Sequence, residues 1–298
     1  MRYGTRVFTL LRFSAAAFPL MGLLALSACQ SQPRPGTPAV RSELTTIVES
    51  YNTRVRDLAR LRAPVTMIIN SPKETGGRSK DQVEGNLQVM LPSSVALRID
   101  KVGQALAYLG SNQQQYWWFD LGDEKRAYVG AHALGSMEKA RRFGLPVHPL
   151  DLVELAGVTP LPNASLLTFS RGPSGEDVVT VPGRWATRRL HLDPSTHEPA
   201  RIEIINRDGR VAIASALSRY QPVEVDGNVF TKARIASTVE ISIFDADVQA
   251  SIAIVEPRNP GDKLRLKAFD LEAMLASYNI KNVIDMDAPP VQSMQEGR

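Results

Sequence analysis

The stretch Gln82-Val83-Glu84-Gly85-Asn86-Leu87-Gln88-Val89-Met90-Leu91 decides the fold. Val83, Leu87, Val89 and Leu91 alternate with Gln82, Glu84, Asn86 and Gln88, the period of a strand with one apolar face. Pro92-Ser93-Ser94 turns the chain, and Val95, Leu97 and Ile99 then alternate with Arg98 and Asp100. Gln104–Leu109, the aromatic run Tyr116-Trp117-Trp118-Phe119-Asp120-Leu121 and Ala127–Val129 continue the series. Before it, Val65–Asn70 reads as the first strand, joined by the polar loop 71–80.

Downstream, strands are expected at Ser165–Arg171, Val178–Val181, Thr187–Asp193, Arg201–Asn206, Val211–Tyr220, Lys232–Phe244 and Val248–Glu256. Turns such as Asn206-Arg207-Asp208-Gly209 and Asp226-Gly227-Asn228 link neighbours, so the strands form an antiparallel meander. Helices are few. Ser42 can cap one over Ser42–Arg62, whose Leu44, Ile47, Val48, Tyr51, Val55, Leu58 and Leu61 make an apolar stripe that Pro64 ends. Short helices are expected at Pro149–Ala156 and Phe269–Ser277.

About 11–12 one-faced strands need more cover than these helices supply. The expected fold is therefore mainly β: a curled antiparallel sheet forming a half-open barrel, its concave side covered by the N-terminal amphipathic helix and the short helices. An incompletely covered concave face is a cavity for apolar ligands. Its expected lining is Leu87, Val89, Leu97, Ile99, Trp117, Phe119, Ile202, Ile204, Ile241 and Ile252. In the aromatic strand, Trp117 and Phe119 are read as cavity wall, with Tyr116 and Trp118 pointing the other way. Ordinary core packing explains these aromatics equally well.

Composition narrows the classes. The 298 residues are 43% hydrophobic and 22% charged, a core-forming mixture. Of the 35 basic residues, Arg2, Arg6 and Arg12 fall in the first twelve positions without an acid; without them the bases nearly balance the 31 acids. A near-neutral body offers phosphate backbones little long-range attraction, so no nucleic-acid partner is expected. The single cysteine, Cys29, excludes an internal disulfide and a multi-cysteine metal cage.

That cysteine closes a recognisable leader. A basic segment to Arg12 precedes the apolar run Phe13–Ala25, which has the length of a signal-peptide core and is short for a membrane span. Leu26-Ser27-Ala28-Cys29 follows and resembles the lipobox of bacterial lipoproteins. The resemblance implies a signal peptide over 1–28, a diacylglycerol thioether on Cys29 and a further acyl chain on the new amino terminus. Gln30, rather than an aspartate, resembles an outer-membrane sorting signal. Residues 29–41, with three prolines after the cysteine, read as lipidated anchor and extended tether; 42–280 is the folded body and 281–298 a tail.

The body itself resembles the LolA/LolB/RseB group of periplasmic lipoprotein-handling proteins. Gly85-Asn86-Leu87-Gln88-Val89 with Val95-Ala96-Leu97-Arg98-Ile99 is similar to that group's second and third strands, and Tyr108–Asn112 with Gln115–Asp120 to its following hairpin. The resemblance implies a non-enzymatic, membrane-anchored envelope lipoprotein, in the outer membrane facing the periplasm, that binds acyl chains of lipoproteins or lipids and meets a periplasmic shuttle protein. It also implies a membrane-facing apolar residue at the tip of the turn after the third strand, where Val102 stands between Lys101 and Gly103. A sensor or scaffold with the same fold and a filled interior is the alternative.

Catalytic patterns are absent: no Gly-x-Ser-x-Gly, Walker loop, His-Glu-x-x-His or CxxC occurs. His132, His148, His191 and His197 are scattered, and the pairs Asp245/Asp247 and Asp285/Asp287 sit at expected turns, where such acids bond backbone amides. No metal, cofactor or catalytic residue is expected. An enzymatic reading would need His191, Asp193 and another polar group to converge in a cleft.

Overall fold

The computed structural model describes residues 38–73, 75–132, 140–141, 147–229 and 231–288. The leader, Cys29 and most of the tether lie outside the described residues, as does the end of the tail. The chain begins with helix α1 (Pro38–Val55), then strands β1 (Arg60–Pro72), β2 (Arg78–Met90), β3 (Ser94–Lys101), β4 (Gln104–Ser111), β5 (Gln115–Asp120) and β6 (Arg126–Ala131). Helix α2 (Pro149–Leu155) separates these from β7 (Thr168–Arg171), β8 (Asp177–Pro182), β9 (Thr187–Leu192), β10 (Pro199–Ile205) and β11 (Val211–Pro222). The two-residue β12 (Glu224–Val225), β13 (Arg234–Ile243), β14 (Val248–Ile254) and the short β15 (Arg258–Asn259) follow, and α3 (Leu271–Tyr278) and β16 (Asn282–Asp285) end the fold.

The sixteen strands among the described residues join one open sheet. Its two meanders, β1 to β6 and β7 to β14, are fused where β1 pairs with β14 from Val65↔Ile254 to Asn70↔Gln249. The half-barrel reading holds, with corrections. Among the described residues there are sixteen strands rather than 11–12, and the sheet is mixed, because β16 runs parallel to β6 and β12 parallel to β15. Strands as short as β12, β15 and β16 are too brief to display a period.

The first helix spans Pro38–Val55, not Ser42–Arg62, and β1 starts at Arg60. Leu58 and Leu61 are both fully buried and fit the helical stripe, but Leu61, Ala63, Val65 and Met67 also alternate, and the sheet takes them. Pro64 is thus inside a strand. Its carbonyl accepts from Val255 N at 3.0 Å just past the last β1–β14 pair, so the ring that cannot donate stands where that ladder ends.

The two larger cores lie on opposite faces of the sheet. On the inner face α1 and α2 cover Leu61, Val65, Met67, Val89, Leu97, Ile202, Ile241 and their neighbours. On the other face Tyr108, Trp117, Phe119 and Leu121 pack against Phe269, Leu271 and Met274 of the C-terminal segment. The last helix therefore covers the opposite face rather than the concave one. Tyr108 marks the contact: its ring lies 5.7 Å from that of Phe119, and its hydroxyl donates to Ala268 O at 2.6 Å.

Candidate functional site

Five strands and one helix enclose an apolar chamber. Its walls are Val65 and Met67 of β1, Leu87 and Val89 of β2, Leu97 of β3, and Val239, Ile241, Ile252 and Ile254 of β13 and β14. Leu152, Val153 and Ala156 of the α2 segment form the roof. The remaining void is about 40 Å³, room for a few waters. Pockets for organic ligands run to roughly 300–1,000 Å³, so a chain-like ligand enters only if the roof moves.

The roof is a helix of seven residues, too short to persist by itself. Packing and a polar latch hold it. At its start His148 caps the helix, its Nδ1 accepting from Leu150 N at 3.1 Å, and Pro149 takes the first helical position. Asp151, fully buried, receives the Trp185 indole N–H at 3.0 Å and pairs with the Arg184 guanidinium. Arg184 Nε also lies 3.5 Å from Glu154 of the same helix. Burial raises the Asp151 carboxyl to about 7, against the opposing pull of Arg184.

At its end the roof is tied to α1 and the sheet. Gly157 adopts φ +68, and a Cβ there would lie 2.9 Å from Pro199 Cγ, so only glycine fits. Its carbonyl accepts from Tyr51 Oη at 3.0 Å and from Arg54 at 2.7 Å. Ser215 Oγ donates to Leu155 O at 2.7 Å, and the Asn52 amide makes a two-way bridge to the backbone of Leu161. These ties hold the C-terminal end of the roof through hydrogen bonds to its backbone, one of them from the buried Arg54 guanidinium, whereas the N-terminal end rests on the ion pair.

Beside the latch, the Tyr116 ring lies tilted 4.2 Å from that of His148, whose ring lies 5.3 Å from His132. Burial drives the His148 pKa well below its ordinary value, with Arg184 adding to the effect, and burial lowers that of His132 as well. Arg184 also reaches His148 Nδ1 at 3.2 Å. That nitrogen accepts from Leu150 N as well, so the imidazole is neutral with its proton on Nε2.

The expected lining divides three ways. Leu87, Val89, Leu97, Ile241 and Ile252 line the chamber. Ile99, Ile202 and Ile204 belong to the same inner core outside the void. Trp117 and Phe119 are a correction: they lie on the opposite face, and Trp118 and Tyr116 face inward instead. The cause is a bulge. Lys101 pairs with Gln104 and Asp100 with Ala105, but Ile99 pairs with Ala107, so Leu106 is an extra residue on β4. It inverts the faces of everything after it, setting Leu97 opposite Leu109 and Leu109 opposite Trp118.

Val102 is fully exposed at the tip of the β3–β4 turn, with φ +50 followed by Gly103 at φ +78. The candidate chemistry elsewhere does not converge. His191 lies between Glu176 and Glu203, at 3.4 and 3.5 Å, while the Asp193 carboxylate accepts from Ser195 and Thr196 in its own turn and falls to about 2. Asp247 pairs with Arg78, Asp245 with Arg141, and Asp287 accepts from Ala131 N. Among the described residues no cluster of three or more His, Cys, Asp or Glu could hold a metal, and no helix is long and apolar enough to cross a membrane.

Sequence reasoning missed the latch. Asp151 lies more than thirty residues from the neighbours Arg184 and Trp185, and the one local signal is an acid on the apolar helix Pro149-Leu150-Asp151-Leu152-Val153.

No family model and no curated relative matches the chain. Solved structures do. A LolA superfamily protein from Nitrosomonas europaea is 11% identical with a TM-score of 0.50, covering 76% of this chain and 97% of its own. A protein described as an outer membrane lipoprotein-sorting domain, from Vibrio parahaemolyticus, is 12% identical with a TM-score of 0.51, covering 78% of this chain and 99% of its own. The likeness is one of fold: the chain carries a LolA-like curled sheet.

Proposed function

We propose that this LolA-like chain is a non-enzymatic envelope lipoprotein, anchored through acyl chains on Cys29, that takes the acyl chains of lipoproteins or lipids into the chamber beneath α2. The observation that carries the reading is the chamber itself, walled by apolar side chains from β1, β2, β3, β13 and β14 and closed by a seven-residue helix. The magnitudes favour exchange. An acyl chain burying about a dozen methylenes gains on the order of 10 kcal/mol. Undocking Val153 and Leu155, the most deeply buried apolar side chains of the roof, costs about 1.5–3 kcal/mol each.

In this reading the protein sits in the outer membrane facing the periplasm, receives cargo from a periplasmic shuttle protein, and turns Val102 toward the bilayer. The description of the Vibrio protein as lipoprotein-sorting supports the cargo class.

A second reading, a sensor or scaffold that docks an envelope protein, draws support from the void of about 40 Å³, which describes an interior already filled. Native mass spectrometry of the chain released from membranes in mild detergent separates the two. Lipid bound one-to-one supports the carrier. A bare chain that crosslinks in cells to a protein partner supports the scaffold and removes the carrier.

A further inference from the structure

On the face away from the chamber, β1, β2 and β3 and the segment from Arg265 to Tyr278 enclose a cleft of about 420 Å³. Arg62, Arg98, Arg265 and Lys267 line it, against one carboxylate, Asp100. Arg98 holds that carboxylate at 2.8 Å, so Arg62, Arg265 and Lys267 are left without an ion pair among the described residues. Two buried polar atoms of the lining, Arg62 Nε and Gln88 Oε1, have no hydrogen-bond partner there, and the β1–β2 register sets these two residues directly opposite each other.

Uncompensated cations around a concave space attract an anion, and an unbonded guanidinium N–H suits a planar or tetrahedral oxyanion. The local sequence adds a second requirement. In Lys263-Leu264-Arg265-Leu266-Lys267, Leu264 is buried as an anchor while Leu266, between two cleft cations, is 64% exposed. A soluble anion gains nothing from an exposed leucine. A phospholipid does, because its phosphate meets the cations while its glycerol and upper acyl region meet the apolar side chain.

We propose that this cleft binds the phosphate of an anionic phospholipid headgroup, with Arg62, Arg265 and Lys267 as its cations and Leu266 as its apolar contact. The site is separate from the chamber and does not rest on the carrier reading. The full chain is titrated calorimetrically with dihexanoylphosphatidylglycerol, dihexanoylphosphatidylcholine and inorganic phosphate, each below micelle formation.

The phosphatidylglycerol is expected to bind saturably, about tenfold tighter than the other two, and to weaken as salt rises from about 50 to 500 mM. The double variant Arg265→Gln/Lys267→Gln is expected to lose about tenfold in affinity at an unchanged melting temperature, and Arg62→Gln to lose affinity likewise. Leu266→Ser should weaken the phosphatidylglycerol and leave inorganic phosphate unaffected. Equal binding of the two lipids, inorganic phosphate as tight as the phosphatidylglycerol, or indifference to the double variant would each overturn the proposal. Ala156→Leu, which crowds the chamber, is expected to leave this binding intact, so failure of the cleft and failure of the chamber appear in different variants.

Discussion

The Arg184 guanidinium, a third exposed, meets the fully buried carboxylate of Asp151 across a gap of 33 residues in sequence, and this pair seats the first turn of the helix that roofs the chamber. Removing the cation leaves a buried acid with only the Trp185 N–H. Arg184→Ala is therefore expected to destabilise the fold by about 1–3 kcal/mol, less than the full cost of orphaning a dry ion pair because Arg184 reaches solvent. Urea denaturation checks it. In combination with Asp151→Asn the two losses should fall short of additive, since both break one contact.

The same carboxylate links stability to pH. Its folded pKa is raised to about 7 from 3.8, so between those values the folded state binds the proton that the unfolded state has released. Stability from this group is greatest at the acid end and declines as pH rises through about 7, with a slope of up to about 1.4 kcal/mol per unit. His148 acts oppositely: its lowered pKa means that stability is lost as pH falls below its ordinary value of 6.5. Asp151→Asn should remove the decline that ends at about pH 7 and keep the acid-side loss. Melting temperatures of both proteins from pH 5 to 8 measure this, and parallel curves would count against the burial argument.

Trp117 separates the two faces. Its indole lies over Gly110, where an added Cβ would sit 2.2 Å from Nε1. Gly110→Ala is expected to cost about 1–3 kcal/mol through overpacking. Because both residues face away from the chamber, neither Gly110→Ala nor Trp117→Phe should change uptake of an apolar dye by the folded protein. A dye affinity that falls with Trp117→Phe would contradict the assignment of faces.

Val102 holds a β-branched side chain at φ +50 in a turn whose two central residues both have positive φ, the geometry that favours Asn-Gly. Val102→Asn should raise stability by about 0.5–1 kcal/mol, or about 1–3 °C in a thermal melt. A lower melting temperature would mean that the turn has another conformation.

Much of this architecture was legible in the chain. Period-two runs located the long strands, and Pro149 and the Phe269 segment located the short helices within a residue or two. Legibility failed where two patterns overlap or where a signal is not local. Leu61 fits the helical stripe and the strand alternation alike, so the sequence pattern carries the helix past its end at Val55. The β5 strand is aromatic on both sides, so alternation could not choose a face, and the choice hung on one extra residue, Leu106. The latch joins Asp151 of α2 to two consecutive residues of the β8–β9 loop, and no window of sequence contains it.

The chamber is tested most directly by titrating the folded Cys29→Ser chain with a fluorescent fatty acid, beside its Ala156→Leu counterpart. The expected result is saturable uptake of one ligand per chain, falling by about tenfold when the larger side chain fills the void beneath the roof. No uptake by a chain with an intact melting transition, or uptake indifferent to Ala156→Leu, would contradict the acyl-binding chamber.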